Sequence, residues 1–444
     1  MDFKALYLPI GVGTFHLESA KALFDASKTL LHSIDGAVEA PDDMLLDVDA
    51  LGAFLDGKTA DLVVVQNLTF ANAAYISEVL RRLDCPVLLW TLREPVVDGT
   101  RLRLNSLTGA FSAANAMRAF GRRFAYVFGA PDEARVQREL RAVFDAARVR
   151  KAMRSLRLAQ IGHTPQGFGF GRALDAELLR LFGVRLESIE ARELIEAAKG
   201  FSNEEAAAYL DDARGRICGL EQIEGRNVSD FARLYRAYAE YVRSHGIGAL
   251  ASRCWPDFFT SFGTPVCAVL GILNDLGVPS ACEADAYGAL SMYIAAFLSG
   301  GSVFFGDPVS LDENENTVTF WHCGMAPCSL AREDTGACAG VHCHRRIGPT
   351  LEFGCRRAQA ATILRVGREP DGSVRFFTAK GEALDKPQQF YGVSTVIRTQ
   401  SSARSLVETA VKRGWEPHFA VAYGDIADAV LALGDMLGVP VEQF

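Results

Sequence analysis

Ala5-Leu6-Tyr7-Leu8-Pro9-Ile10, running directly into Gly11-Val12-Gly13-Thr14-Phe15-His16-Leu17-Glu18, reads as a buried strand, a glycine turn and an amphipathic helix reaching about Leu31. Gly11 and Gly13 allow a tight turn and Thr14 stands where a helix cap is needed, but the third glycine of a dinucleotide fingerprint is missing. His16 is read either as a satisfied polar side chain at the helix start or as a substrate contact.

The same strand and helix alternation continues along the chain. Strands are expected at Asp61–Gln66, Pro86–Trp90 and Ala125–Gly129, with helices near 71–83 and 113–120 between them. Apolar runs separated by helices imply a parallel sheet covered on both faces. Ligands of such sheets sit beyond the carboxyl ends of the strands, which makes Gln66 and Asn67 candidates for contacts to substrate hydroxyls.

A basic helix over 132–153 leads to a fresh strand, Leu156–Ile161, which places a domain boundary near 153. The loop Gly162-His163-Thr164-Pro165-Gln166-Gly167-Phe168-Gly169-Phe170-Gly171 follows. Its glycines permit close backbone approach to a ligand, with Gln166 and Phe168 as pocket residues; a connector without a ligand is the alternative. Helices are expected near 172–182, 203–220 and 229–245, a strand at Ile247–Ser252, and then Arg253-Cys254-Trp255-Pro256, whose Trp255 is a further substrate contact. Val266–Leu276 has the length of a buried helix, stopped by Gly277 and Pro279. The strand Pro279–Cys282 ends at Glu283, where a second α/β domain would present active-site groups.

From about residue 302 helical periodicity gives way to short alternating runs such as Ala361–Gly367, Gly372–Thr378 and Val393–Thr399. The domains are therefore expected at 1–153, 154–301 and 302–444, the first two α/β with parallel sheets, the third antiparallel and closed by a helix to about Leu437.

Composition narrows the function. A net charge of −8, from 46 basic and 54 acidic residues, offers no general attraction for nucleic acid or an anionic membrane. No apolar run is long enough to span a bilayer and no secretory leader is apparent, so a cytoplasmic protein acting on a small molecule is expected. The ten cysteines are then expected to be reduced.

Chemistry concentrates after Cys282. Glu283 precedes a helix, Asp307 follows the apolar run Ser302–Phe305, His322 ends the run Thr317–Trp321, and His418 stands before another short strand. Two carboxylates and imidazoles at element ends suit a hard divalent ion if they converge. Asp285, two residues on, is expected to cap the helix and brace the site.

The order Glu283-Ala284-Asp285, then Phe304-Phe305-Gly306-Asp307-Pro308, then His322, then His418 resembles the L-fucose isomerase and L-arabinose isomerase superfamily. The resemblance implies two Rossmann-like domains followed by a C-terminal antiparallel β-barrel, a manganese ion or another divalent such as magnesium or cobalt, and aldose–ketose isomerisation through an enediol. It implies Glu283, Asp307 and His418 as metal ligands, Glu283 and Asp307 as the acid/base pair, and His322 as a substrate contact. It also implies a homo-oligomer whose pocket is built between subunits. Where arabinose-type enzymes carry an Ala-His-Gly loop, this chain reads Asn105-Ser106-Leu107-Thr108-Gly109-Ala110, without histidine.

Other readings stand beside this one. A non-catalytic sugar-binding or regulatory protein could use the same scaffold. Cys323, Cys328, Cys338, Cys343 and His344 could form a zinc-thiolate site, although buried reduced thiols are the default. Arg345-Arg346 and Arg356-Arg357 read as a solvated face or as anchors for an anionic group, phosphate or sulfonate, on a monosaccharide substrate.

Overall fold

The computed structural model describes residues 2–444. The chain divides into two compact units, Met1–Lys151 with Asp428–Val439, and Ala152–Ala427 with Pro440–Phe444.

In the first unit, strands β1 (Ala5–Ile10), β2 (Leu62–Asn67), β3 (Val87–Thr91) and β4 (Phe124–Phe128) form a parallel sheet in that order. One face of it, with Leu6, Leu8, Val63, Val65, Val87 and Leu89, is sealed by Tyr75, Ile76 and Val79 and by Ala110 and Ala113 of two helices. The first helix, Leu17–Ile34, is capped by His16 rather than Thr14, because the His16 ring accepts from the Ser19 amide at 3.3 Å. The helix expected at 113–120 begins earlier, at Ser106.

The second unit contains two sheets. Strands β5 (Arg157–Ile161), β6 (Arg185–Ile189), β7 (Ala249–Ser252) and β8 (Ser280–Cys282) pair in parallel in the order β6-β5-β7-β8. β6 and the helix Ala191–Gly200 were not legible as separate elements in the sequence, since Arg185–Ile189 is half exposed and lacks an apolar run. The connection after β5 leads to β6 on one side and the connection after β7 leads to β8 on the other, so the crevice at this switch point lies where the loops after β5 and β7 diverge. Those loops carry Phe168 and Trp255, and the end of neighbouring β8 carries Glu283.

The other sheet is built from β9 (Val303–Asp312), β10 (Thr317–His322), β11 (Cys338–Gly340), β12 (Thr350–Gly354), β13 (Ala358–Arg368), β14 (Val374–Ala383), β15 (Val393–Thr399), β16 (Phe419–Ala422) and β17 (Val441–Gln443). It is mixed rather than purely antiparallel, because β12 pairs with β15 and β17 with β14 in parallel. Among its strands β9, β10, β15, β14, β13 and β16, every neighbouring pair is antiparallel and β14 also pairs with β15. Two departures from expectation occur here. The run at Ser302–Phe305 does not end before Asp307 but continues through it to Asp312. A helix, Ala403–Lys412, interrupts the region expected to be β-rich; Ser402 caps it by accepting from Ser405 N.

The helix Ala286–Ser299 is apolar on nearly every face and packs between β7 and strands β13 and β16, joining the two sheets of the unit. Its Ser291 hydroxyl accepts from the Val366 amide of β13 at 2.8 Å, which fixes how far the helix penetrates.

Candidate active site

Strand register assembles most of the site. Phe419 of β16 lies opposite Gly306 of β9, so the next step along brings His418 beside Asp307. On the other side of β9, Asp307 faces Trp321, and His322 follows at the end of β10. Glu283 arrives from β8 on a backbone that is left-handed at two successive non-glycine residues, with φ of 60° at Glu283 and 55° at Ala284. L-residues adopt that region only when the surroundings hold them there, and such strain clusters at functional sites.

The side chains converge. His418 Nε2 is 2.9 Å from Glu283 Oε2 and 3.5 Å from Asp307 Oδ1, while His322 Nε2 is 4.0 Å from the same Glu283 oxygen. Asp285 supports them from behind. It caps the helix by accepting from the Gly288 amide at 2.8 Å, accepts from His418 Nδ1 at 3.0 Å, and receives two hydrogen bonds from Arg365, at 2.6 and 3.1 Å. Asp285 and Arg365 are fully buried, so each charge depends on the other.

The two imidazoles differ in which nitrogen is free. His418 donates through Nδ1 to Asp285, which leaves Nε2 facing Glu283 and Asp307, as an N–H donor to them when the ring is protonated and as a lone pair for an ion when that proton is displaced. At His322 the Cys323 amide and Sγ lie 2.9 and 3.4 Å from Nδ1, so Nε2 carries a proton whether the ring is neutral or charged, and that buried N–H has no hydrogen-bond partner among the described residues. His418 could thus hold an ion through Nε2, and His322 could donate to a group placed in the site.

Protonation follows from the same neighbours. Burial pulls His418 down, but hydrogen bonds to Asp285 and Glu283 and the nearby charges outweigh it and push the imidazole up to about 10. Burial likewise opposes His322, which Cys323 and the carboxylates push up to about 9. Glu283 feels burial as an upward push, yet His418 and His322 hold it below the usual carboxylate range. Asp307 goes the other way: burial dominates and raises it. Two carboxylates with opposed shifts in one pocket are the pattern of a base and an acid.

Aromatic rings enclose the group. Phe305, Phe170 and Phe168 have centroids 5.0, 5.3 and 6.2 Å from the His418 ring, and Trp255 meets Phe168 edge-on at 5.9 Å. The Trp255 indole N–H donates to Glu283 Oε1 at 3.1 Å. Phe168 and Trp255 therefore line the site. Gln166 lies in the same loop but is exposed. Gln66, Asn67 and His16 belong to the first unit. Gln66 is buried, accepting from the Tyr7 hydroxyl and donating to Ser27 at 3.0 Å; His16 caps a helix; the Asn67 amide is buried without a hydrogen-bond partner among the described residues.

Sequence reasoning missed Arg365, Phe305 and Phe170 as site residues. The signal for Arg365 was an arginine inside the apolar run Ala361–Gly367, where an unpaired charge is not tolerated. The cysteine readings are corrected too: Cys338 forms a disulfide with Cys218, so the ten thiols are not all reduced and Cys338 cannot serve a zinc-thiolate site. Among the described residues, the donor atoms of Cys282, Glu283 and His322 lie within 4.8 Å of one another. The buried Cys282 thiol is pushed up by Cys254 and by burial, which disfavours the thiolate a metal would need.

Residues 350–444 match the family described as L-fucose isomerase, C-terminal domain. Over its whole length the chain is 59% identical to a sulfoquinovose isomerase of Clostridium sp. (strain MSTE9), covering 100% of this chain and 99% of that protein. The chain belongs to the fucose isomerase-like sugar isomerases. It is also 37% identical to sulfoquinovose isomerases of Priestia aryabhattai, over 443 residues, and Alkalicoccus urumqiensis, over 441, each match covering 99% of this chain and 98% of the relative. As a member it is an aldose–ketose isomerase. Among the described residues no helix is long and apolar enough to cross a membrane.

Proposed function

We propose that this enzyme interconverts sulfoquinovose, a six-carbon aldose with a sulfonate at its far end, and the corresponding 2-ketose. The reading rests on the full-length similarity to sulfoquinovose isomerases together with one geometric observation: Glu283, Asp307 and His418, from three separate segments, meet within ion-pair distance.

The donor set fits a divalent ion, manganese, magnesium or cobalt. Two carboxylates supply hard oxygen ligands, and His418 keeps Nε2 free by binding Asp285 through Nδ1. Glu283, Asp307 and His418 would hold the ion, which would act as a Lewis acid on the carbonyl and neighbouring hydroxyl of the open-chain sugar. The chain's own groups then move the proton. Glu283, held in its ionised form, accepts a proton from the carbon next to the carbonyl. Asp307 delivers a proton to the former carbonyl carbon while the proton of the neighbouring hydroxyl passes to the former carbonyl oxygen, giving the 2-ketose, and Glu283 and Asp307 regain their starting states by proton exchange with solvent. His322 offers its unpartnered Nε2–H to a substrate oxygen, and the ring of Phe168, Phe170, Phe305 and Trp255 keeps water away.

The six mutually antiparallel strands, closed by the β14 to β15 pairing, are read here as the barrel that displays Asp307 and His418. A homo-oligomer and a cytoplasmic setting complete the reading, by likeness to the family. The test is incubation of manganese-supplemented enzyme with sulfoquinovose in heavy water. Formation of the ketose with deuterium beside the carbonyl supports both substrate and enediol. Ketose without deuterium favours a hydride shift, and no conversion of the sulfonated sugar removes it as substrate.

A further inference from the structure

We propose that Arg345 receives the sulfonate of the substrate, and so sets the specificity of the enzyme for an anionic sugar; the proposal rests on the substrate reading above. The guanidinium lies over two rings, 5.1 Å from the Trp255 centroid and 5.0 Å from that of Phe259. The same indole donates its N–H to Glu283 Oε1 at 3.1 Å, so one side chain links the candidate catalytic carboxylate to the cation. Summing those contacts and the indole's own width keeps the guanidinium carbon within about 10 Å of that oxygen, and an extended open-chain sugar spans roughly 7 Å from its first carbon to the sulfur. A substrate with its carbonyl end at Glu283 can therefore lie along Trp255 and reach Arg345.

Charge supports the same placement. The His418 imidazole at the reacting end is already engaged by Glu283, Asp307 and Asp285, so it is not free to receive a sulfonate. Other arginines of this unit are spent on carboxylates: Arg253 on Asp257 at 2.6 Å, Arg365 on Asp285 at 2.6 Å, and Arg368 on Glu177 at 2.9 Å. Arg345 has no carboxylate at ion-pair distance among the described residues, only its two aromatic faces. Stacking occupies the flat sides of a guanidinium and leaves its N–H edge for bidentate contact with an oxyanion. Arg356 stacks instead on Tyr423 at 5.4 Å, and Arg346 is exposed.

The loop that carries Arg345 is held in advance. Buried His342 accepts from the His344 and Arg345 amides at 3.3 and 3.4 Å, packs edge-on against Phe259 at 5.0 Å, and closes the turn through Arg346 N to His342 O at 2.8 Å. A pre-positioned guanidinium loses little freedom when it binds.

The test compares wild type, Arg345→Gln and Arg345→Lys. Calorimetry measures sulfoquinovose binding to metal-free protein, and kinetics give kcat/KM for sulfoquinovose relative to glucose. The Gln variant is expected to weaken sulfoquinovose binding about 30- to 100-fold, to lower the kcat/KM ratio by a similar factor through KM, and the Lys variant to recover part of the loss. Equal losses on both sugars, or no loss of sulfoquinovose binding, overturn the proposal while leaving the substrate reading intact. A wild type that neither binds nor converts sulfoquinovose removes both.

Discussion

At the scale of single residues, the pocket depends on charges that are individually costly and collectively satisfied. Glu283 and Asp307 are the groups assigned to proton movement, so Glu283→Gln and Asp307→Asn are each expected to lower kcat by about 10²- to 10⁴-fold, with far-ultraviolet circular dichroism unchanged. A variant with wild-type turnover would remove that residue from the chemistry. Arg365 carries a different prediction. Because both partners are buried, Arg365→Met leaves the Asp285 carboxylate with only His418 and the Gly288 amide, and is expected to cost about 3–5 kcal/mol of stability in denaturant titrations. Adding Asp285→Asn should recover part of that loss; additive losses would show that the two side chains act separately. The acid, imidazole and aspartate positions were readable because each sits at a break in an apolar run. Arg365 was visible as an oddity, but its partner lies 80 residues away in sequence, and no local pattern names it.

At the scale of elements, site geometry is strand register. Gly306 is the step between Phe305 in the core and Asp307 in the pocket, and a Cβ there would meet the Trp321 backbone, whose carbonyl carbon would lie at 2.9 Å. Gly306→Ala is expected to pry β9 from β10, costing about 1–3 kcal/mol of stability and lowering activity more than its fall in thermal midpoint explains. Full activity in that variant would show that Asp307 tolerates displacement of its strand. Alternation marked β9 and β10 but not the length of β9, because Pro308 to Asp312 are largely exposed and no buried apolar run carries the strand past Asp307. The helix Ala403–Lys412 escaped for a related reason: its buried stripe is narrow and lies between two strands.

At the scale of the whole molecule, the pocket couples protons, metal and stability. The folded protein raises His418 from its ordinary 6.5 to about 10, so this contribution is complete below pH 6.5 and is lost as pH rises through about 10. His322, raised to about 9, acts in the same direction. Metal-free enzyme should therefore lose thermal stability between pH 6.5 and 10, and because an ion must displace the His418 proton, added manganese should raise the midpoint more at pH 9 than at pH 6.5. A metal-induced shift that is the same at both values would contradict the assigned ligand. The Cys218–Cys338 disulfide closes a separation of 120 residues and leaves eight free cysteines. Thiol titration of unfolded, unreduced protein should count eight groups, and reduction should lower stability by up to about 4–5 kcal/mol; a count of ten would mean the pair is reduced.

The sequence by itself determined the kinds of layer and the chemistry available. Apolar runs with period-two and helical spacing are local consequences of burial, and acids and imidazoles at their ends are visible without a partner. Only the tertiary structure decided which of them meet. The opposition of His418 to Asp307, the Arg365 support under Asp285 and the placement of Arg345 on Trp255 all join residues distant in sequence. Such pairings are set by register and packing, which depend on the whole chain at once.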